Sequence, residues 1–322
     1  MSEHISTLNV AMLGGSGVGK TSLLTAMYDR FEQNIGQANL QLTPDLESNA
    51  ILGKQLGALK GMFNCFEVEE GIPGNVEERG FVFDIGKRGE SASLRLHFID
   101  YPGGYLESNP QKVLGFIKAS AAILIAIDAP ALMEQNGRWH EAVNKPSQIH
   151  GLFKNANLKE LCDQSPRLFL LSPIKCEKYL QDAKLTQELL SRIGESYNPL
   201  LNLFTSKAAQ NNIAVVITPV QTVGGVQFSR IAVNNGDPVF YYRKTSYNAE
   251  YAPHDSEQPL RYLLRFLLKL HYDSHNWGIF NFLKEWLKVD EHLKEAVQVF
   301  ANGCKTSEGF AIYCGNHLLT LK

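Results

Sequence analysis

The sequence predicts a three-layer α/β fold: a mixed six-stranded sheet, one of its edge strands antiparallel, with helices on both faces. Three observations carry this expectation. Five short runs have the continuous apolar character of strands buried on both sides: Asn9–Leu13, Leu94–Ile99, Ala121–Ile127, Arg167–Leu171 and Ile213–Thr218. Between them lie helix-like patterns such as Thr21–Phe31, Gln111–Ala119, Lys178–Ile193 and Leu260–His271, the alternation of a largely parallel sheet. The composition agrees, since 322 residues that are 44% hydrophobic and 20% charged suffice for a large core.

Composition also excludes some functions. Lys and Arg number 31 against 33 Asp and Glu, a net charge of −2, so no strong field draws nucleic acid or anionic lipid, and no nucleic-acid partner is expected. The longest apolar run, around Ala119–Ile127, falls far short of the ~20 residues of a membrane span. The first residues lack the basic start and apolar stretch of a secretory signal. Five scattered cysteines (Cys65, Cys162, Cys176, Cys304 and Cys314) form no CxxC pair, which points to a reducing cytoplasm and no structural zinc.

Taken in order, the first strand runs into Gly14-Gly15-Ser16-Gly17-Val18-Gly19-Lys20-Thr21, which fits G-x-x-x-x-G-K-[ST] between a strand and an amphipathic helix. Glycines let backbone amides converge on a polyphosphate, and the helix that follows adds its N-terminal dipole. Gly15, Ser16, Gly17, Val18, Gly19, Lys20, Thr21 and Ser22 are therefore candidate nucleotide-binding residues, with the Lys20 charge on phosphate and the Thr21 hydroxyl on Mg²⁺. The span Asn34–Gly80, with Pro44 and Pro73, is too long for an ordinary loop and reads as functional or independently ordered. Phe81–Ile85 alternates as a sixth strand and pairs antiparallel with Leu94–Ile99 through the polar turn Lys87–Glu90. That neighbour ends in Asp100-Tyr101-Pro102-Gly103: a carboxylate at a strand end that can hold Mg²⁺ through water, and a glycine whose amide can sense a γ-phosphate.

From these two boxes the chain resembles the P-loop GTPases of the TRAFAC class. The run Asp100-Tyr-Pro-Gly-Gly-Tyr-Leu106 looks most like their prokaryotic double-GTPase branch, over about Leu8–His271. The resemblance implies GTP and GDP as ligands, Mg²⁺ as cofactor, Lys20 and Gly103 as catalytic groups, and Thr21 and Asp100 at the metal. It places base recognition after the fifth strand, at Ser172-Pro-Ile-Lys175-Cys-Glu177, where Lys175 lies along the base and Glu177 reads guanine. Here Ile174 replaces the usual Asn or Thr, and Glu177 replaces Asp from one methylene further out. Thr218-Pro219-Val220 takes the place of the box that supports the base from the backbone, although Pro219 has no N–H to donate. For the first-switch metal ligand Thr43 is preferred, with Asn75 of the Pro73-Gly74-Asn75 turn as the competitor.

Two departures bear on rate. Gly104 stands where Ras-like proteins keep a water-orienting glutamine, and Gly17 where potassium-activated relatives keep an asparagine. Slow intrinsic hydrolysis is expected, completed by an effector, an activating protein or a homo- or hetero-dimeric GTPase partner. An ATPase with an imperfect base box, and a nucleotide-binding assembly module without turnover, are the alternative functions.

The organisation expected is a GTPase domain over residues 1–272, with an enlarged first switch at 34–80 and a hairpin insertion at 227–259, then a C-terminal extension over 273–322 packed on it. Asn234-Asn235-Gly236-Asp237 marks the hairpin turn. The mixed run Phe240-Tyr241-Tyr242-Arg243-Lys244 reads as cross-strand packing. The extension should hold an amphipathic helix around Ile279–Leu287, whose stripe Phe280, Phe282 and Trp286 reads as core or docking surface, and a β-prone end at Phe310–Cys314. His97 and Asp84 read as a satisfied strand-edge pairing, not as an acid–base pair.

Overall fold

The computed structural model describes residues 5–69, 77–156, 161, 165–273 and 291–321, with the side chains of 34–38 set aside. In chain order, β1 (Ser6–Leu13) leads into α1 (Lys20–Ala38), β2 (Leu40–Pro44), α2 (Leu46–Gly61), β3 (Glu67–Glu69), β4 (Arg79–Lys87) and β5 (Leu94–Asp100). Next come α3 (Tyr105–Ser108), α4 (Pro110–Ala119), β6 (Ala122–Asp128), α5 (Ala129–Met133), α6 (His140–Asn144) and α7 (Pro146–Asn155). They are followed by β7 (Arg167–Ile174), α8 (Ala183–Ser196), α9 (Asn198–Phe204) and β8 (Ile213–Ile217). The last elements are β9 (Val226–Asn234), β10 (Asp237–Lys244), α10 (Gln258–Tyr272), α11 (Glu291–Asn302) and β11 (Ala311–Cys314).

The main sheet runs β11-β8-β7-β6-β1-β5-β4-β2. It has eight strands where six were expected, and β4 is not its edge. Leu40 and Leu42 are buried while Thr43 is exposed, so the short alternating β2 docks antiparallel outside β4. At the opposite edge the β-prone C-terminal segment pairs antiparallel with β8 as β11. The central strands β5, β1, β6, β7 and β8 are mutually parallel.

Alternate residues of β1 feed two cores, because successive strand side chains point to opposite faces. Val10 and Met12 join the layer built on α1, α10 and α11, and Ala11 and Leu13 join the layer built on α4, α7, α8 and α9. Against α1, Phe31 packs edge-on to Phe300 of α11 at 5.1 Å, and the Arg261 guanidinium covers the Phe300 ring at 4.2 Å. Burying each such ring is worth about 1.5–3 kcal/mol, which fastens the C-terminal helix to the phosphate-loop helix. The Ile279–Leu287 stretch, with Phe280, Phe282 and Trp286, lies outside the described residues.

A second, three-stranded sheet, β3-β10-β9, closes over one end of the first. Its hairpin turns at Asn235 (φ 51°) and Gly236 (φ 93°), the paired positive dihedrals of a tight two-residue turn. Strand β3, from the first long insertion, pairs with β10 of the second, Val68 opposite Tyr242. Leu59, Val226, Phe228, Phe240 and Tyr242 bury a shared apolar cluster between them. Lys244 ties the two further, its amide donating to Phe66 O at 2.9 Å and its ammonium to Phe63 O at 3.3 Å. The two insertions, separate in sequence, thus form one roof. Among the described residues no helix is long and apolar enough to cross a membrane.

Candidate nucleotide site

The carboxyl ends of β1 and β5 meet under this roof. Helix α1 starts at Lys20, and Gly19 before it adopts φ 107°, where a Cβ would press within 2.8 Å of Ile174 Cδ1. The Lys20 ammonium folds back over the loop, donating to Gly14 O and Gly15 O, both at 3.3 Å. It also lies 3.7 Å from Asp100 Oδ1. Burial pushes the Lys20 ammonium below the ordinary lysine range, and the neighbouring Asp100 opposes that shift. A bound polyanion would act in the same sense as Asp100, favouring the charged form.

Beside it, Thr21 Oγ1 donates to Asp100 Oδ2 at 2.8 Å, across 79 residues of chain. Asp100 is fully buried. A threonine hydroxyl and a carboxylate are hard oxygen donors that suit Mg²⁺, an ion that keeps most of its shell for water and phosphate oxygens. Among the described residues no three His, Cys, Asp or Glu side chains gather as a dedicated cage. The donor set therefore fits Mg²⁺ held in part by a ligand's own phosphates.

Gly103 lies against the loop so closely that any Cβ there would collide with Ser16 N and Gly15 C. The next residue, Gly104, faces open space. After it, α3 is fastened by Glu107, which accepts from Lys145 at 2.5 Å and Gln148 at 2.9 Å.

From the loop a cavity of about 570 Å³ extends to the far end of β7. Ser16, Gly17, Gly19, Lys20, Thr21, Ser22, Asp100 and Gly103 line one end, and Lys175, Glu177, Thr222 and Val223 line the other. The roof contributes Leu59 and Met62 from α2 and its C-terminal turn, with Val68, Val226 and Tyr242 from the small sheet. Gln55 of α2 donates to Ser22 Oγ at 3.1 Å, which draws the roof onto the phosphate loop. Val18 is buried below the loop.

At the other end Lys175 lines the cavity, with neighbours that the sequence did not indicate. Lys175 (φ 58°) passes its stem beside Gly19 and donates to Asp128 Oδ2 at 2.6 Å. Asp128, at the end of β6, is held in turn: its side chain caps the Ala131 amide at 2.8 Å, and its own amide donates to Asn144 Oδ1 at 2.7 Å. His140 stands behind Asn144, its Nδ1 2.9 Å from Asn144 Nδ2, and burial lowers its pKa to about 4. Glu177 is buried, and its Oε1 accepts from the amides of Val223 at 2.8 Å and Gly224 at 3.1 Å. Burial raises the Glu177 carboxyl pKa, while those amides oppose the rise. The residue expected from sequence to read guanine therefore also pins the turn at 222–224.

Two expected residues lie elsewhere. Thr218 is fully buried, its hydroxyl 2.8 Å from Ser172 Oγ, and does not line the cavity. The chain runs four residues further before Thr222 reaches it, with its hydroxyl accepting from the Lys175 amide at 3.2 Å. Thr43 sits on β2, the outermost strand, opposite Asp84; it accepts from Gln41 Nε2 at 2.9 Å and does not line the cavity either. Strand pairing fixes it there, so it is not placed to close on a metal beside Thr21. Asn75 lies outside the described residues. Sequence reasoning missed Asp128, Thr222, Tyr242, Gln55 and Arg79. Only Asp128, an acid ending a strand, carried a signal. His97 and Asp84 do not form the expected strand-edge pairing, because β2 lies outside β4: Arg95 grips Asp84 at 2.7 and 2.9 Å, and His97 Nδ1 lies 3.2 Å from Asn9 Oδ1.

A strand, a glycine loop and a helix N-terminus, facing the acid that ends the neighbouring parallel strand, are the parts of a P-loop α/β fold. No protein-family model matches the chain, and no curated protein matches it in sequence. Similar solved structures include the S. cerevisiae Ski7 GTPase-like domain bound to GTP, at 17% identity and TM-score 0.38, covering 67% of this chain and 43% of that one. Sup35 complexed with GDP is similar at 10% identity and TM-score 0.32, covering 68% and 38%. Era in complex with MgGDPNP and nucleotides of 16S ribosomal RNA is similar at 12% identity and TM-score 0.34, covering 73% and 76%. The chain spans less than half the length of the first two.

Proposed function

We propose that this chain binds GTP with Mg²⁺ and hydrolyses it slowly, acting as a nucleotide-controlled switch. The observation that carries the reading is the contact of Thr21 with Asp100 at 2.8 Å beside the Lys20 ammonium, at one end of a nucleotide-sized cavity. The phosphate loop from Gly15 to Ser22 would hold the β- and γ-phosphates, with Lys20 neutralising charge. Thr21 and Asp100 would hold Mg²⁺, which supplies charge neutralisation for the phosphates. Gly103 would present its amide to the γ-phosphate. Lys175 would lie along the base, positioned by Asp128, and Glu177 would reach guanine with the carboxylate oxygen that does not accept from Val223 and Gly224.

With no side chain at Gly104, nothing at that position orients the attacking water, so hydrolysis waits on an effector, an activating protein or a second GTPase copy. The setting proposed is the reducing cytoplasm implied by the cysteine pattern. The unit binding the nucleotide is taken as residues 1–272 with the extension packed on it. The occupation of Glu177 Oε1 by two amides favours a second reading, in which the base box does not select guanine and the chain is an ATPase. Affinities for GTP, GDP and ATP, with and without Mg²⁺ and with a Lys20→Ala control, separate the two. GTP at least tenfold tighter than ATP supports the first reading, and equal affinities support the second. Tight binding with no phosphate release, partners included, would leave an assembly module.

A further inference from the structure

We propose that Arg79 is a catalytic residue of this site, supplying from within the same chain the positive charge that the γ-phosphate needs as it is transferred. The proposal rests on the nucleotide reading above and adds a residue that no motif indicates. Arg79 opens β4, and in the β4–β5 ladder it stands directly opposite Asp100. Directly opposed residues of an antiparallel pair project from the same face, with Cβ atoms about 4.5–5.5 Å apart. Asp100 uses that face to meet Thr21 and Lys20, so Arg79 is aimed at the same spot, and it lines the cavity there.

The other cations of the cavity serve other parts of it. Lys20 lies across the phosphate loop, and Lys175 is held to Asp128 at 2.6 Å at the base end. Lys54 also lines the cavity, from α2. Arg79 stands across the ladder from Asp100, where the γ-phosphate would lie, and its side chain suits the task. Its planar fork can hold two phosphate oxygens at once.

In the reaction a water oxygen bonds to the γ-phosphorus while the bond to the β–γ bridging oxygen breaks. The electron pair stays on GDP, and the water's proton leaves with inorganic phosphate. Negative charge accumulates on the bridging and γ-oxygens, where Arg79 would meet it. An arginine in this role is worth about 10³–10⁵ when supplied by a partner. In cis, beside a water-orienting glutamine, such an arginine gives about 10⁻² s⁻¹; with Gly104 here, turnover should lie below that until a partner orients the water.

The test is single-turnover GTP hydrolysis by Arg79→Ala and Arg79→Lys proteins, with GDP affinity and aluminium-fluoride-dependent retention of GDP measured alongside. Arg79→Ala should hydrolyse about 100-fold more slowly and lose the fluoride-dependent retention, with GDP affinity within threefold, because GDP lacks the γ-phosphate. Arg79→Lys should recover part of the rate, restoring charge without the fork. Hydrolysis within threefold of wild type, in an Arg79→Ala protein that binds GDP normally, would overturn the proposal and leave the nucleotide reading standing. A wild-type protein that binds no guanine nucleotide would overturn both.

Discussion

The phosphate end and the base end of the cavity are built in opposite ways. At the phosphate end the groups come from two short motifs, and their contacts lie within the first or between the two: Lys20 on Gly14 and Gly15, and Thr21 on Asp100. At the base end no group acts alone. Lys175 depends on Asp128, Asp128 on Asn144, and Glu177 on the turn it pins, under a roof made by two distant insertions. Polyphosphate recognition needs amides and charge in one fixed geometry, which a single strand–loop–helix unit provides. A flat base with few charged atoms can be enclosed in many ways, so that end is free to be rebuilt.

Breaking the phosphate end should have the largest effect. Lys20→Ala removes the buried ammonium that lies over the loop beside Asp100, and triphosphate affinity should fall at least about 100-fold in a titration with a fluorescent GTP analogue. Next comes Glu177, the proposed guanine reader, which also pins the turn at 222–224. Glu177→Ala strands the amides of Val223 and Gly224, a loss of about 1–3 kcal/mol in chemical denaturation, with weaker binding of every nucleotide. Glu177→Gln keeps an acceptor for those amides, so stability should hold while GTP-over-ATP selectivity drops about tenfold. If selectivity instead survives Glu177→Gln, guanine is not read there.

The roof gives a smaller and kinetic effect. Val68 lines the cavity opposite Tyr242, and Val68→Asp puts a charge into the cluster that joins the insertions. GDP release, followed by stopped-flow fluorescence, should speed up about tenfold, with the phosphate-end response to Mg²⁺ preserved. An unchanged release rate would mean that the roof does not limit exchange.

The last effect is confined to acid and leaves binding at neutral pH untouched. Burial lowers the folded His140 pKa to about 4, so in the unfolded chain it takes up its proton near 6.5, before the folded protein does. Its contribution is therefore intact above that range and is lost as pH falls from about 6.5 toward 4, by roughly 3 kcal/mol in all. His140→Asn should flatten the pH dependence of denaturation across that window.

The sequence made the phosphate end legible because glycines, lysine and threonine sit at fixed local spacing and the acid ends a strongly apolar strand. It left Asp128 as Lys175's partner hidden, since 47 residues separate them and no periodicity encodes a side-chain pair. Thr218 was expected because it ends a strand, yet the cavity is reached only past Pro219, at Thr222. Strand β2 was hidden by its brevity, and placing it moved Thr43 to the sheet edge. The link between the two insertions is a β3–β10 ladder across more than 150 residues, a tertiary choice that composition cannot announce.

The most direct measurement is the Mg²⁺ dependence of binding for a non-hydrolysable GTP analogue in wild-type and Asp100→Asn proteins. If Asp100 and Thr21 share the metal, removing Mg²⁺ should weaken wild-type binding by at least about tenfold and change Asp100→Asn binding little, because the two losses are the same loss. Equal sensitivity to Mg²⁺ in both proteins, or wild-type binding indifferent to the ion, would contradict the account.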